Sequence, residues 1–302
     1  MTRRECLGCI GAAGAAAMLP GCAAGTGREA RHVDTFCFAV VSDTHLGKEP
    51  ATIPQAGAAD PSRLMAAAVA EINASPAAAT VFLGDLVDTG QENEGRYEEW
   101  MEIARRLKKP FHAVPGNHDP APFFLKYVHA ETDYAADYGL WRFVFFQDTT
   151  TDSHNGTVTA AQIEWVARQV DAAAGAGRRA ILFSHVTRHP NSEPDWGWYI
   201  RSHEDEFRQM LEARRGKAVA FLSGHLHCGL RGWSDTAGVH EAVMPAASWN
   251  FEKDLRQAPG FSLPQRRPGW VLAELRAGGL SLCYKPLGGE ALEPLVLAFP
   301  AV

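Results

Sequence analysis

The stretch FLSGHLHCG (221–229) closes an apolar run, AVAFLS (218–223), with two histidines one residue apart and a glycine on either side. In an extended segment residues i and i+2 point the same way, so His225 and His227 can present both imidazoles to one point. Four other apolar runs end in the same manner. FCFAVV (36–41) leads to Asp43, TVFL (80–83) to Asp85, FHAV (111–114) to Asn117, and RAILFSH (179–185) closes on His185. Helical patterns separate the runs. An Ala-rich segment over 61–74 starts after Asp60, and an amphipathic one over 92–109 carries Tyr97, Trp100, Met101 and Ala104 on one face. Further helices are expected over 159–173 and 202–215, and short strand-like runs dominate after Gly238. Strands alternating with helices give an α/β fold. In such sheets ligands gather at the carboxyl ends of the strands, so five strand ends would deliver polar side chains to one edge.

In chain order these stretches read DTH (43–45), GDLVD (84–88), GNHD (116–119), SH (184–185) and GHLH (224–227). Each alone is weak. Together they supply carboxylate, imidazole and amide donors, a set that suits Zn, Mn or Fe better than a calcium cage. No cysteine belongs to the set, which argues against a structural zinc site. Gly84, Gly116 and Gly224 precede the donors, as expected where backbone must turn tightly and approach a site closely.

This set and order resemble the calcineurin-like metallophosphoesterases, whose pattern is DxH, GDxxD, GNH[DE], H and GHxH. All five elements stand in residues 43–227 without a departure. The resemblance implies two mixed β-sheets packed as a sandwich and flanked by helices, with a dinuclear metal site at the strand C-terminal ends. It implies that one divalent ion is held by Asp43, His45, Asp85 and His227, and a second by Asp85, Asn117, His185 and His225, with Asp85 shared. His118 takes the place of the family's catalytic histidine at the substrate phosphate. Asp88 and Asp119 take positions that orient it. Two divalent ions against Asp43, Asp85 and a bridging hydroxide leave a local charge of about +1, enough to receive an anion.

That local charge matters because the chain of 302 residues carries a net charge of −6, the opposite of a nucleic-acid binder's basic footprint. The expected partner is therefore a small-molecule phosphoester and no nucleic acid polymer. A surplus near +1 suits a monoanionic diester better than a dianionic monoester, and the stretches SDTHLG and GNHD resemble the bacterial cyclic-nucleotide phosphodiesterase branch. A phosphodiesterase is thus the first reading. Phosphomonoester hydrolysis, or cleavage of nucleotide-diphosphate esters of the ADP-ribose or CDP-alcohol type, is the second. A lipid-anchored binding protein without activity is a distant third, against which the intact donor set speaks.

Residues 1–22 have the anatomy of a signal peptide: Arg3 and Arg4, a Gly/Ala-rich stretch, then LPGC ending at Cys22. The arginine pair suggests twin-arginine export, and LPGC resembles a lipobox. The expectation is a lipoprotein anchored through Cys22 on the periplasmic side of a bacterial membrane, with a polar linker over 23–34 and a single domain over 35–302. Cys37 and Cys283 lie in strand-like runs, where either buried thiols or a disulfide fits. Trp196, Trp198 and Tyr199, between two donor strands, either stack on a base or pack their own loop. His189, Arg188 and Arg201 are equally open between substrate contact and ordinary surface roles, and nothing marks Cys228 as catalytic.

Overall fold

The computed structural model describes residues 35–54, 58–88, 94–190, 197–251, 260–263 and 265–300. The expected signal peptide, Cys22, the linker and Trp196 lie outside the described residues. Among the described residues no helix is long and apolar enough to cross a membrane.

The apolar runs become strands because both of their faces are covered. The chain runs β1 (Thr35–Val41), α1 (Pro61–Asn73), β2 (Thr80–Leu83), α2 (Gly95–Ala104), β3 (Phe111–Val114), α3 (Ala121–Tyr127), β4 (Tyr134–Tyr138), β5 (Trp141–Phe145) and α4 (Ala160–Gly175). It continues with β6 (Arg179–Phe183), α5 (Glu204–Glu212), β7 (Ala218–Ser223), β8 (Arg231–Thr236), β9 (Val239–Val243), β10 (Phe261–Ser262), β11 (Gly269–Arg276), β12 (Gly279–Pro286) and β13 (Leu295–Ala298). Among the described residues they form two mixed sheets, ordered β13-β12-β11-β1-β2-β3 and β10-β8-β9-β7-β6-β5-β4. β1, β2 and β3 are parallel neighbours, as are β5, β6, β7 and β9, so their carboxyl ends share one edge of each sheet.

Alternate residues of one strand serve different layers. Phe38 and Val40 of β1 point between the sheets, onto a core with Phe143, Phe145, Phe183 and Leu222. Ala39 and Val41 point outward to Met65 of α1 and Trp100 of α2. On the second sheet Val144, Leu182 and Phe221 meet Val166 and Val170 of α4 and Phe207 of α5. Burial on both faces is why these strands read as continuous apolar runs instead of alternating ones.

The helix starts were legible: Asp60 accepts from the Ser62 N–H, and Thr159 with Gln162 forms a capping box. The ends were less so. α2 stops at Ala104, short of the expected 109. α3, β4, β8, β10 and β13 were not anticipated. The disulfide question is settled by β11, which lies between β1 and β12. Cys37 faces Glu274 and Cys283 faces Leu272, and both thiols are free. Two strand spacings are about 10 Å, beyond the reach of a disulfide.

Candidate metal centre

Backbone strain marks the site before any side chain does. Among the described residues seven non-glycine residues have positive φ: Asp43, His45, Asp85, His225, His227, His203 and Ala237. The first five are expected donors. Such backbone costs about 1–3 kcal/mol per residue and persists where the surroundings over-determine it. The preceding glycines are required by close approach. A Cβ on Gly84, which sits at φ +82°, would lie 2.6 Å from His185 Nδ1. One on Gly116 would strike Asp85 Oδ1, and one on Gly224 would strike Ser42 Oγ and lie 2.7 Å from Asp43 Oδ2.

Each of the four expected histidine donors has one ring nitrogen tied back to an oxygen. His45 Nδ1 meets Asp88 Oδ1 at 3.2 Å, His185 Nδ1 the Leu83 carbonyl at 2.6 Å, His225 Nε2 the His154 carbonyl at 2.9 Å, and His227 Nδ1 the Trp249 carbonyl at 2.8 Å. The oxygens accept, so the tied nitrogens carry the proton, and in the neutral form of each ring the other nitrogen presents a lone pair. These lone-pair nitrogens converge. His45 Nε2 and His227 Nε2 are 3.1 Å apart, and His185 Nε2 and His225 Nδ1 are 3.0 Å apart. Facing lone pairs at that distance call for a cation.

The carboxylates divide their oxygens in the same way. Asp43 Oδ2 accepts from the His225 N–H at 2.9 Å, while Oδ1 lies 3.2 Å from His227 Nε2, buried and without hydrogen-bond geometry. Asp85 Oδ1 accepts from the His118 N–H at 2.9 Å. Its Oδ2 stands between the two histidine pairs, 3.4 Å from His45 Nε2 and 3.3 Å from His185 Nε2. The result is two buried triads, Asp43–His45–His227 and Asp85–His185–His225, with donor atoms within 4.8 Å inside each. Asn117 Oδ1 is also buried without a partner.

The electrostatics agree with that geometry. Burial opposes ionisation of Asp43 and Asp85, yet the neighbouring imidazoles, His227 and His185 respectively, hold both well below the usual carboxylate range. Burial likewise opposes the imidazolium of His185, but the Asp85 carboxylate outweighs it and pushes this histidine up to about 10. His225, buried and beside His185, is pushed down to about 3. The pocket thus stabilises positive charge between its carboxylates. Two ionised carboxylates, inward lone pairs and buried unpartnered oxygens fit divalent cations in both triads.

Around the triads lies a cavity of about 150 Å³, lined among others by Lys48, His118, Trp198, Trp249 and Phe251. His118 donates from Nδ1 to the Asp88 carbonyl at 3.0 Å, which turns Nε2 outward, and its ring packs edge-on to His45 at 4.8 Å. The Asp88 carboxylate serves His45 at 3.2 Å, lies 3.7 Å from His118 and pairs with Lys48 at 3.3 Å. Asp119, expected to orient His118, puts its carboxylate to another use. It accepts from the backbone of Leu86 and Gly116 and from the Tyr97 hydroxyl, tying the two loops that carry Asp85 and Asn117 to α2. Trp100 of α2 does the same for the first loop, donating to Thr44 Oγ1 at 3.1 Å.

Several supporting residues escaped the sequence reading. Asp148 is fully buried and accepts from Ser184 Oγ, His185 N and Val186 N, fixing the loop that carries His185; burial pushes it up to about 6. It ends an apolar run as Asp43 and Asp85 do, and that signal was available. Trp249 lies against His45 and His227 with centroids 4.6 and 4.4 Å away; AASWN (246–250) offered no pattern to find it. Arg188 is no phosphate contact. It is buried, with Nε and Nη2 both donating to Glu241 Oε1. His189 stacks on Trp233 at 4.3 Å, away from the cavity lining, and Arg201 covers Tyr199 and bonds the Gly197 carbonyl.

A family model for calcineurin-like phosphoesterases matches residues 37–229, and the chain belongs to that family. A 3',5'-cyclic-nucleotide phosphodiesterase of Nostoc sp. is 24% identical over 65% of this chain and 71% of its own length. A 3',5'-cyclic adenosine monophosphate phosphodiesterase of Haemophilus influenzae is 24% identical over 65% of this chain and 69% of its own length. Among solved structures, a dimetal phosphatase from Danio rerio superposes with a TM-score of 0.66 at 16% identity, covering 88% of this chain and 99% of that one. A purple acid phosphatase from yellow lupin seeds also gives 0.66, at 13% identity, over 88% of this chain and 54% of its own. The likeness to these structures is one of fold. Family and fold together support a metal-dependent phosphoesterase function.

Proposed function

We propose that the chain is a phosphodiesterase working with two divalent ions, one held by Asp43, His45, Asp85 and His227, the other by Asp85, Asn117, His185 and His225. The observation that carries this reading is the position of Asp85 Oδ2, nearly equidistant from a histidine of each triad. When bound, the ions would make water a nucleophile near neutral pH and offset the two carboxylates, leaving a small positive surplus that a monoanionic diester matches. His118 stands at the cavity wall with its Nδ1–H fixed, so Nε2 meets the substrate phosphate and passes a proton to the leaving oxygen. Burial disfavours its cationic form, but the Asp85 carboxylate raises its pKa above the ordinary histidine value, which suits an acid. Lys48 adds a positive charge at the rim, shared with Asp88. The two curated relatives, cyclic-nucleotide phosphodiesterases by name, support the same reaction class.

The test is a comparison of bis(p-nitrophenyl) phosphate with p-nitrophenyl phosphate after reconstitution with Mn, Fe or Zn. Faster diester hydrolysis is expected; the reverse ranking would move the assignment to a monoesterase. We also propose membrane anchoring through lipidated Cys22 on the periplasmic side. Cys22→Ala should release the protein from the membrane fraction, and a wild type already in the soluble periplasm would overturn it.

A further inference from the structure

Both triads straddle the two sheets. Asp43, His45 and Asp85 follow β1 and β2 in one sheet, whereas His185, His225 and His227 follow β6 and β7 in the other. The spacing of the donors therefore depends on what fixes one sheet edge against the other.

For Asp43, His45 and His227 that task falls to the segment AASWN (246–250), which follows β9. Toward β1, Ala246 forms a parallel bridge with Ser42, the Ala247 N–H donates to the Ser42 carbonyl at 2.8 Å, and Ser248 Oγ donates to the Asp43 carbonyl. Toward β7, the Trp249 carbonyl accepts from His227 Nδ1 at 2.8 Å, and the Phe251 N–H donates to the His227 carbonyl at 2.7 Å. Buried Asn250 holds the segment in shape. Its Oδ1 accepts from the N–H groups of Ala246 at 3.0 Å and Gly229 at 3.1 Å, and its Nδ2 donates to the Ala246 carbonyl at 3.1 Å. The Trp249 ring completes the span, packed at 4.6 Å on His45 from one sheet and at 4.4 Å on His227 from the other. The loop bearing His185 has a separate anchor, Asp148 after β5.

An imidazole tied by one hydrogen bond can still turn about its side-chain torsions, and a ring packed against both imidazoles restricts that freedom. We propose that Trp249 and Asn250 are positioning residues: the 246–250 segment locks the ends of β1 and β7 together, and so sets how firmly the ion at Asp43, His45 and His227 is retained. The neighbouring ion at Asp85, His185 and His225 depends on it far less. The proposal rests on the two-ion reading and adds to it a residue-level cause for the retention of one ion.

The experiment loads the full chain with Mn²⁺, desalts it, and counts ions per chain by elemental analysis in wild type, Trp249→Ala and Trp249→Phe. Trp249→Ala keeps the carbonyl but loses the ring; it should retain close to one ion where wild type retains two. The Mn²⁺ concentration for half-maximal activity should rise about 10- to 100-fold, with kcat at saturating Mn²⁺ and KM near wild type. Trp249→Phe keeps a ring and removes an indole N–H that has no hydrogen-bond partner among the described residues, so it should retain both ions. Should Trp249→Ala fail to fold by circular dichroism, Asn250→Asp, which keeps the Oδ1 acceptor and loses the Nδ2 donor, should show the same loss of one ion. A folded variant that keeps both ions or loses both together would overturn the proposal, as would Trp249→Phe proving as damaging as Trp249→Ala. A wild type that binds fewer than two ions would instead remove the two-ion reading. The positioning role is then decided in metal-free protein by ¹⁵N NMR of His227. Protonation at Nδ1 alone is expected in wild type and Trp249→Phe, and mixed tautomers in Trp249→Ala; one tautomer in all three would overturn it.

Discussion

The floor of the site and its rim are built on different terms. The floor consists of strand ends at which five residues hold positive φ, every histidine has one nitrogen tied back, and each carboxylate spends one oxygen on a backbone N–H. The rim consists of Lys48, His154, Trp198 and Phe251, contributed by loops with ordinary stacking and ion-pair contacts. The floor has its geometry over-determined by backbone hydrogen bonds and glycine approaches, so small changes there should be severe. The rim is built from loop side chains outside the two triads and should change which substrate is used more than whether reaction occurs.

Substitutions graded from floor to rim test that contrast. The largest effect is expected for Asp85→Asn, which keeps the shape but removes the charge shared by both triads. Steady-state assays should show activity down about a thousandfold or more, beyond the 10- to 100-fold typical of residues that support a ligand. His118→Asn should cost about 10²- to 10⁴-fold in kcat, the range for a general acid, with metal content unchanged by elemental analysis. Asp88→Asn, which loosens His45 and Lys48 together, should cost about 10- to 100-fold, visible as weaker metal retention on titration with a chelator. Tyr97→Phe removes one donor to Asp119 from beneath the floor. Denaturant unfolding should show about 1 kcal/mol of lost stability and only a small change in rate. A rim substitution that proved as damaging to every substrate as Asp85→Asn would break the contrast.

The floor was legible in the sequence because its chemistry is local. Each donor sits within a few residues of an apolar strand end, so DTH, GDLVD, GNHD, SH and GHLH carry the site in their own letters. The glycines before Asp85, Asn117 and His225 were legible for the same reason. What was not legible came from distant contacts between segments. The Trp249 carbonyl that fixes His227, the His154 carbonyl that fixes His225 and the use of Asp119 as a tie between loops depend on how the two sheets bring those segments together. Arg188 shows the same limit. A basic residue three positions after His185 read as a possible phosphate contact, yet Glu241 on β9 claims it. In the fold, strands buried on both faces were visible as unbroken runs. β8 and the edge strands β4, β10 and β13 were not anticipated; β4, β8 and β10 show no apolar run as distinct as those of the central strands, whereas LVLAF (295–299) offered one for β13.

The central claim is that Asp85 joins two triads into one two-ion centre. Metal content by elemental analysis, on wild type and Asp85→Asn purified side by side, tests it most directly. The account predicts close to two divalent ions per wild-type chain and loss of both in the variant. An active wild-type protein free of metal, or a variant that keeps its full complement, would contradict it.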